Sequence, residues 1–146
     1  MNIGKDVLKP LQPELNRLFT DSNVVAHNEK LSLDQFRDLF KHGRDQFNSN
    51  KTHEAHVVWE MIWKECDTYC RQYIKGFIQL SGAKWNYKLG KYSAAKYLME
   101  KAAYNIENST CILKEVDNIA IASKINRELM TFYCTGDFLL IEELKI

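Results

Sequence analysis

From Phe47 to Gln79 ionisable side chains fall among bulky aromatics at the spacing of an α-helix, and this pattern constrains the chain more than any other. At about 100° per residue, His56, Glu60 and Trp63 (i, i+4, i+7) share one helical face. Trp59, Cys66 and Cys70 flank that face on one side and His53 on the other. An ionisable pair among tryptophans is either a buried, hydrogen-bonded couple or part of a site.

The rest of the chain agrees with a helical fold. Only 6 Gly and 2 Pro interrupt 146 residues, which favours long helices over many short strands. Ser32-x-x-Gln35 is a capping-box pattern ahead of the apolar stripe Leu33, Phe36, Leu39, Phe40 and Phe47. Asn48-Ser49-Asn50 reads as a turn, with Thr52 as the N-cap of the next helix. Gly90 suits a C′ position, Ser93 an N-cap, and Ala94, Ala95, Leu98, Ala102 and Ala103 a small-residue face. Helices are therefore expected at approximately 32–48, 53–69, 71–89, 93–107 and 117–130, with a short one from Pro13 to Phe19 and a loop over 21–30. Gly76 and Gly82 would each cost the third helix about 1 kcal/mol relative to alanine, tolerable where a neighbouring backbone comes close. The expectation is one all-α domain over 1–146, a compact antiparallel bundle of five to six helices. Residues 1–30 form a partly irregular start and 131–146 an apolar C-terminal tail whose period, around Phe138 to Ile141, fits strand or helix equally.

A net charge of +1 says little, but its distribution is uneven: between Arg71 and Lys101 seven basic side chains stand against Glu100 alone. Cys66, Cys70, Cys111 and Cys134 form no CxxC pair and lack zinc-knuckle spacing, so free thiols are expected. The first residues carry no apolar signal region, and no window has the roughly 18 apolar residues of a membrane span. An intracellular, reducing setting is expected, bacterial cytoplasm or plastid stroma. Plentiful Lys, Asn and Ile beside sparse Arg fits an AT-rich genome.

The ordered set from Phe47-Asn48 through Glu54-Ala55-His56 to Glu60 and Trp63, then Arg71, Gly76, Gln79 and Gly90, resembles the small helical family catalogued as domain of unknown function 309. The resemblance covers about residues 36–105 and implies a compact all-α fold without an established reaction. Two positions depart from it. Val57 follows His56 where the family commonly has glutamate, and Asn86 stands where it often has histidine.

Three chemistries compete for the polar stripe. His53, His56 and Glu60 could meet a metal on one face, but the set is not HExxH, and with Val57 and Asn86 the ligands run short; no metal or cofactor is expected. A His56–Glu60 pair could do acid–base work, yet no nucleophile, phosphate loop or cofactor fingerprint accompanies it. The reading adopted is structural: His56, Glu60, Arg71 and Gln79 form a buried network that sets the register of two helices. The tryptophans read as core anchors. Lys84, Lys88 and Lys91 recur about once per turn, followed by Lys96, with Trp85, Tyr87, Tyr92 and Tyr97 interleaved.

The function expected is that of a non-catalytic accessory protein of a larger assembly, docking a protein partner through Lys84, Lys88, Lys91 and Lys96. A nucleic-acid-associated factor using the same face is the alternative. A weak metal-dependent or acid–base enzyme at His56 and Glu60 comes third.

Overall fold

The computed structural model describes residues 31–138 and 141–146. The expected helix from Pro13 to Phe19 and the loop at 21–30 lie outside the described residues. Among the described residues five α-helices follow one another: α1 (Leu33–Asn48), α2 (Thr52–Glu65), α3 (Thr68–Lys88), α4 (Tyr92–Asn108) and α5 (Asn118–Thr135). A 3-10 turn (Ile141–Glu143) comes last. Each helix packs on its successor, with α3 on α4 the broadest interface, and the short links at 49–51, 66–67 and 89–91 leave neighbours antiparallel. The all-α bundle is as the residue spacing predicts, and no strand occurs among the described residues.

Ser32 caps α1 through the expected reciprocal pair: Gln35 N–H donates to Ser32 Oγ at 3.1 Å and Ser32 N–H to Gln35 Oε1 at 2.8 Å. Other boundaries differ. α2 stops at Glu65, not near Tyr69, because Cys66 turns to extended backbone and Asp67 accepts from Cys70 N–H to start α3. Thr52 and Ser93 lie inside their helices; Lys51 and Lys91 occupy the N-cap positions without a side-chain bond. α5 begins behind Asp117, whose carboxylate accepts from Ala120 N–H, and runs to Thr135, so the final segment is shorter than 131–146.

The core is an aromatic seam where α1, α2 and α3 meet. Phe36, Phe40, Phe47, Trp59, Tyr73 and Phe77 are all at most 1% exposed. Phe40 stands edge-on to Phe77 at 4.9 Å between centroids and stacks on Trp59 at 5.8 Å. Edge-to-face and offset pairs of this kind add about 0.5–1.5 kcal/mol each beyond the area buried. Trp59 Nε1–H also donates to the Phe40 carbonyl oxygen at 3.3 Å. The close approach expected beside Gly76 is real: a Cβ there would sit 2.6 Å from Ile106 Cγ1 and 3.0 Å from the Ile106 backbone nitrogen. Glycine thus lets α3 lie directly against α4.

Candidate functional site

His56 is buried on the α2 face that meets α3, with Nδ1 hydrogen-bonded and Nε2 within ion-pair distance of a carboxylate but outside hydrogen-bond geometry. Nδ1 lies 2.8 Å from Ser81 Oγ and 3.2 Å from the Ile78 carbonyl oxygen. Ser81 Oγ–H is also placed to donate to that same Ile78 oxygen at 2.8 Å, and the direction of the His56–Ser81 bond follows the imidazole tautomer. Nε2 is 3.1 Å from Glu60 Oε1. This polar contact with His56 holds the Glu60 carboxyl below its ordinary value, against partial burial. A glutamate, a histidine and a serine are therefore in line. Ser81, however, is fully buried, and its hydroxyl is bonded within its own helix. The arrangement is that of a pin between α2 and α3.

The four-residue network expected from the sequence is corrected at three of its members. Arg71 Nε–H donates instead to the Trp63 carbonyl oxygen at 3.0 Å, and its guanidinium lies 4.3 Å above the Trp63 ring. Gln79 Oε1 accepts from Asn105 Nδ2 of α4 at 2.6 Å. Their places beside His56 are taken by Ser81 and the Ile78 carbonyl. Glu60 is also half exposed, not buried, at 47% of its side chain. Among the tryptophans only Trp59 is a fully buried anchor. Trp63 is exposed, and Trp85 is half-buried with the His53 ring stacked on it at 4.4 Å. Desolvation by burial, with His56 nearby, lowers the His53 pKa. Among the described residues no group of three or more His, Cys, Asp or Glu is placed to hold a metal. Burial pushes the Cys66 and Cys70 thiols up, which keeps them protonated and unreactive.

The basic face is also corrected. Lys84 is only 5% exposed. Its ammonium donates to Asn50 Oδ1 and to the Leu144 carbonyl oxygen, each at 3.1 Å, and lies 4.6 Å from the Phe47 ring centroid. Burial pushes its pKa down to about 8 although Glu142 opposes the shift. Lys84 therefore tightens the fold and is withdrawn from docking. Lys88 and Lys91 are exposed. Lys96 pairs with Glu100 at 3.5 Å and lies 5.6 Å from the Tyr133 ring centroid.

A different surface stands out on α4 and α5. Ala95, Met99, Ala102, Ala103 and Ile106 turn α4 inward, so Tyr97, Lys101 and Tyr104 (i, i+4, i+7) face out. Tyr97 and Tyr104 border a shallow depression of about 400 Å³ together with Glu100 and Lys101. From α5, Tyr133 donates its hydroxyl to Glu100 and joins the two helices' outer faces. The helical period that made Ala95 and Ala102 inward also placed Tyr97 and Tyr104 outward, so this surface was readable. Tyr133 was not, because α5 was expected to end near residue 130.

Residues 40–98 match the family described as Domain of unknown function (DUF309). The DUF309 segment runs from within α1 through α2 and α3 into α4. It contains the His56 pin, Lys84 and Tyr97, and stops before Tyr104 and Tyr133. No curated protein and no solved structure matches the chain. No helix among the described residues is long and apolar enough to cross a membrane.

Proposed function

We propose that this protein is a non-catalytic accessory factor that docks a protein partner through the outer face of α4 and α5, with Lys88 at the end of α3 and Lys91 at the N-cap of α4 as the basic edge. The carrying observation is exposed aromatic surface gathered around Glu100: Tyr97 at 58%, Tyr104 at 66% and Tyr133 at 53%. Tyrosine is enriched at the centres of protein interfaces because it buries a large area at small entropic cost. The charge pattern supports a protein partner over a nucleic acid. Along α4, Lys96 and Lys101 are balanced by Glu100 and Glu107. A phosphate-tracking surface needs one sign of charge, whereas a mixed rim suits another folded protein.

The nucleic-acid reading keeps one specific support, the tyrosines beside Lys96 and Lys101, which resemble a stacking platform. Acid–base chemistry at His56 has less, since the hydroxyl it faces is sealed inside the fold. The test compares affinity-purified partners of the tagged wild-type chain with those of Tyr97→Ser/Tyr104→Ser in the native organism. A specific protein lost by the variant, at unchanged helix content by circular dichroism, supports the reading. Retention of every partner overturns it.

A further inference from the structure

The last described residues lie in a groove whose walls bind main chain. From α1, Arg44 Nε donates to the Ile146 carbonyl oxygen at 2.9 Å, and Asn48 accepts from Ile146 N–H at 2.8 Å. From α3, Lys84 donates to the Leu144 carbonyl oxygen at 3.1 Å, and from α5, Lys124 donates to that of Lys145 at 3.3 Å. Three helices thus grip consecutive backbone groups, and none of these bonds depends on which side chains the segment carries. The side chains alternate: Leu144 and Ile146 are buried, and Lys145 between them is exposed. The grip is that of a site for an extended peptide, reading backbone for affinity and alternate side chains for pattern.

The segment also underfills its groove. A cavity of about 510 Å³ opens beside Ile146, lined by Phe40, Leu113 and Val116 and edged by Arg37, Lys41 and Arg44 alternating with Asp38, Asp45 and Glu115. A second, of about 410 Å³, follows Leu144 along α5 beside Lys124 and Arg127. A third, of about 210 Å³, lies where Glu142 faces Asn50, Thr52, Lys84 and Lys88. All three adjoin residues 142–146; the walls of the first two mix basic with acidic side chains, and those of the third present only the cations Lys84 and Lys88 to Glu142. Glu142 supplies the complementary charge to Lys84 and Lys88 from the segment itself.

We propose that the groove between α1, α3 and α5 is a recognition site for an acidic, apolar segment of a partner protein, with residues 141–146 as its resident and displaceable occupant. The site goes beyond the tyrosine face and stands independently of it. A competing segment would carry a glutamate ahead of two apolar residues spaced two apart, with larger side chains where the cavities now lie.

The test uses the full chain and a fluorescein-labelled peptide of residues 141–146, Ile-Glu-Glu-Leu-Lys-Ile, followed by fluorescence anisotropy. Leu144→Asp/Ile146→Asp in the chain should free the groove, so that this variant binds the peptide at least about tenfold more tightly than wild type, whose own segment competes. Asn48→Ala added to that variant should weaken binding about tenfold. A folded double variant with no saturable binding overturns the proposal. Should the double variant lose its helix content, hydrogen exchange on the wild-type chain decides. Leu144 and Ile146 amides should exchange at least about a hundredfold faster than Phe77 in the core, through local opening. Exchange as slow as that of Phe77 would show that the groove opens only when the protein unfolds, and would overturn the proposal.

Discussion

Replacing Lys84 by methionine keeps the aliphatic stem and removes the buried charge, with an effect that depends on pH. At neutral pH two changes oppose each other. The variant no longer holds an ammonium at 5% exposure, but Asn50 Oδ1 and the Leu144 carbonyl lose their donor. An orphaned buried acceptor costs about 1–3 kcal/mol. The wild type carries the charge at a cost of similar size. With the ammonium pKa near 8 in the folded chain and 10.5 in the unfolded one, 1.36 kcal/mol per pH unit gives about 3 kcal/mol. The sign follows from proton counts. Between pH 8 and 10.5 the unfolded chain binds more protons than the folded one at this residue, so the Lys84 contribution makes the wild type more stable as pH rises. Methionine has no such dependence. Burial raises the Cys66 and Tyr73 acids and lowers the stability of both proteins at high pH, so only their difference is informative. Urea unfolding of the two proteins at pH 7 and pH 10.5 reads it. The variant should fall behind the wild type by about 3 kcal/mol more at pH 10.5 than at pH 7. Parallel stability–pH curves would refute the assignment of Lys84 as a buried, desolvated ammonium.

Gly43→Ala should be severe, because a Cβ there would lie 2.2 Å from Trp59 Nε1; thermal melts should show a loss of about 2–3 kcal/mol. Glu60→Gln should cost only up to about 1 kcal/mol, since the carboxylate is half exposed. Because the Glu60 pKa is lowered, that small contribution is present above its ordinary value near 4.5 and is lost as pH falls through the folded one. A chelator should leave the melting temperature unchanged, since the His56 nitrogens face Ser81, Ile78 and Glu60; a fall on adding EDTA would count against the pin.

The helices were legible because their apolar residues recur with the helical period and because Ser32, Gln35 and Gly90 are local signals. Their limits were less so. Asp67 is a cap residue in sequence as well as in structure, but with no Gly or Pro between Trp63 and Tyr69 the break at Cys66 carries no strong local signal. At the pin, His56 and Glu60 are neighbours on one helix and could be paired from spacing alone. Their third partner, Ser81, lies on α3, and only the register of the two helices chooses it over Gln79. Lys84 was misplaced for a related reason. It continues the inward stripe of Phe77 and Leu80, yet what makes burial of its charge tolerable is a carbonyl 60 residues later. Spacing within one helix reports which side faces in, and contacts between distant segments decide what a buried polar group bonds to.

A photoreactive benzoylphenylalanine placed at Tyr104 in the living native organism tests the proposed docking face most directly. The account predicts a covalent adduct with a specific protein, absent when the same group replaces Lys75, an exposed residue on α3. An adduct with nucleic acid at position 104, or protein adducts equally strong from both positions, would contradict it.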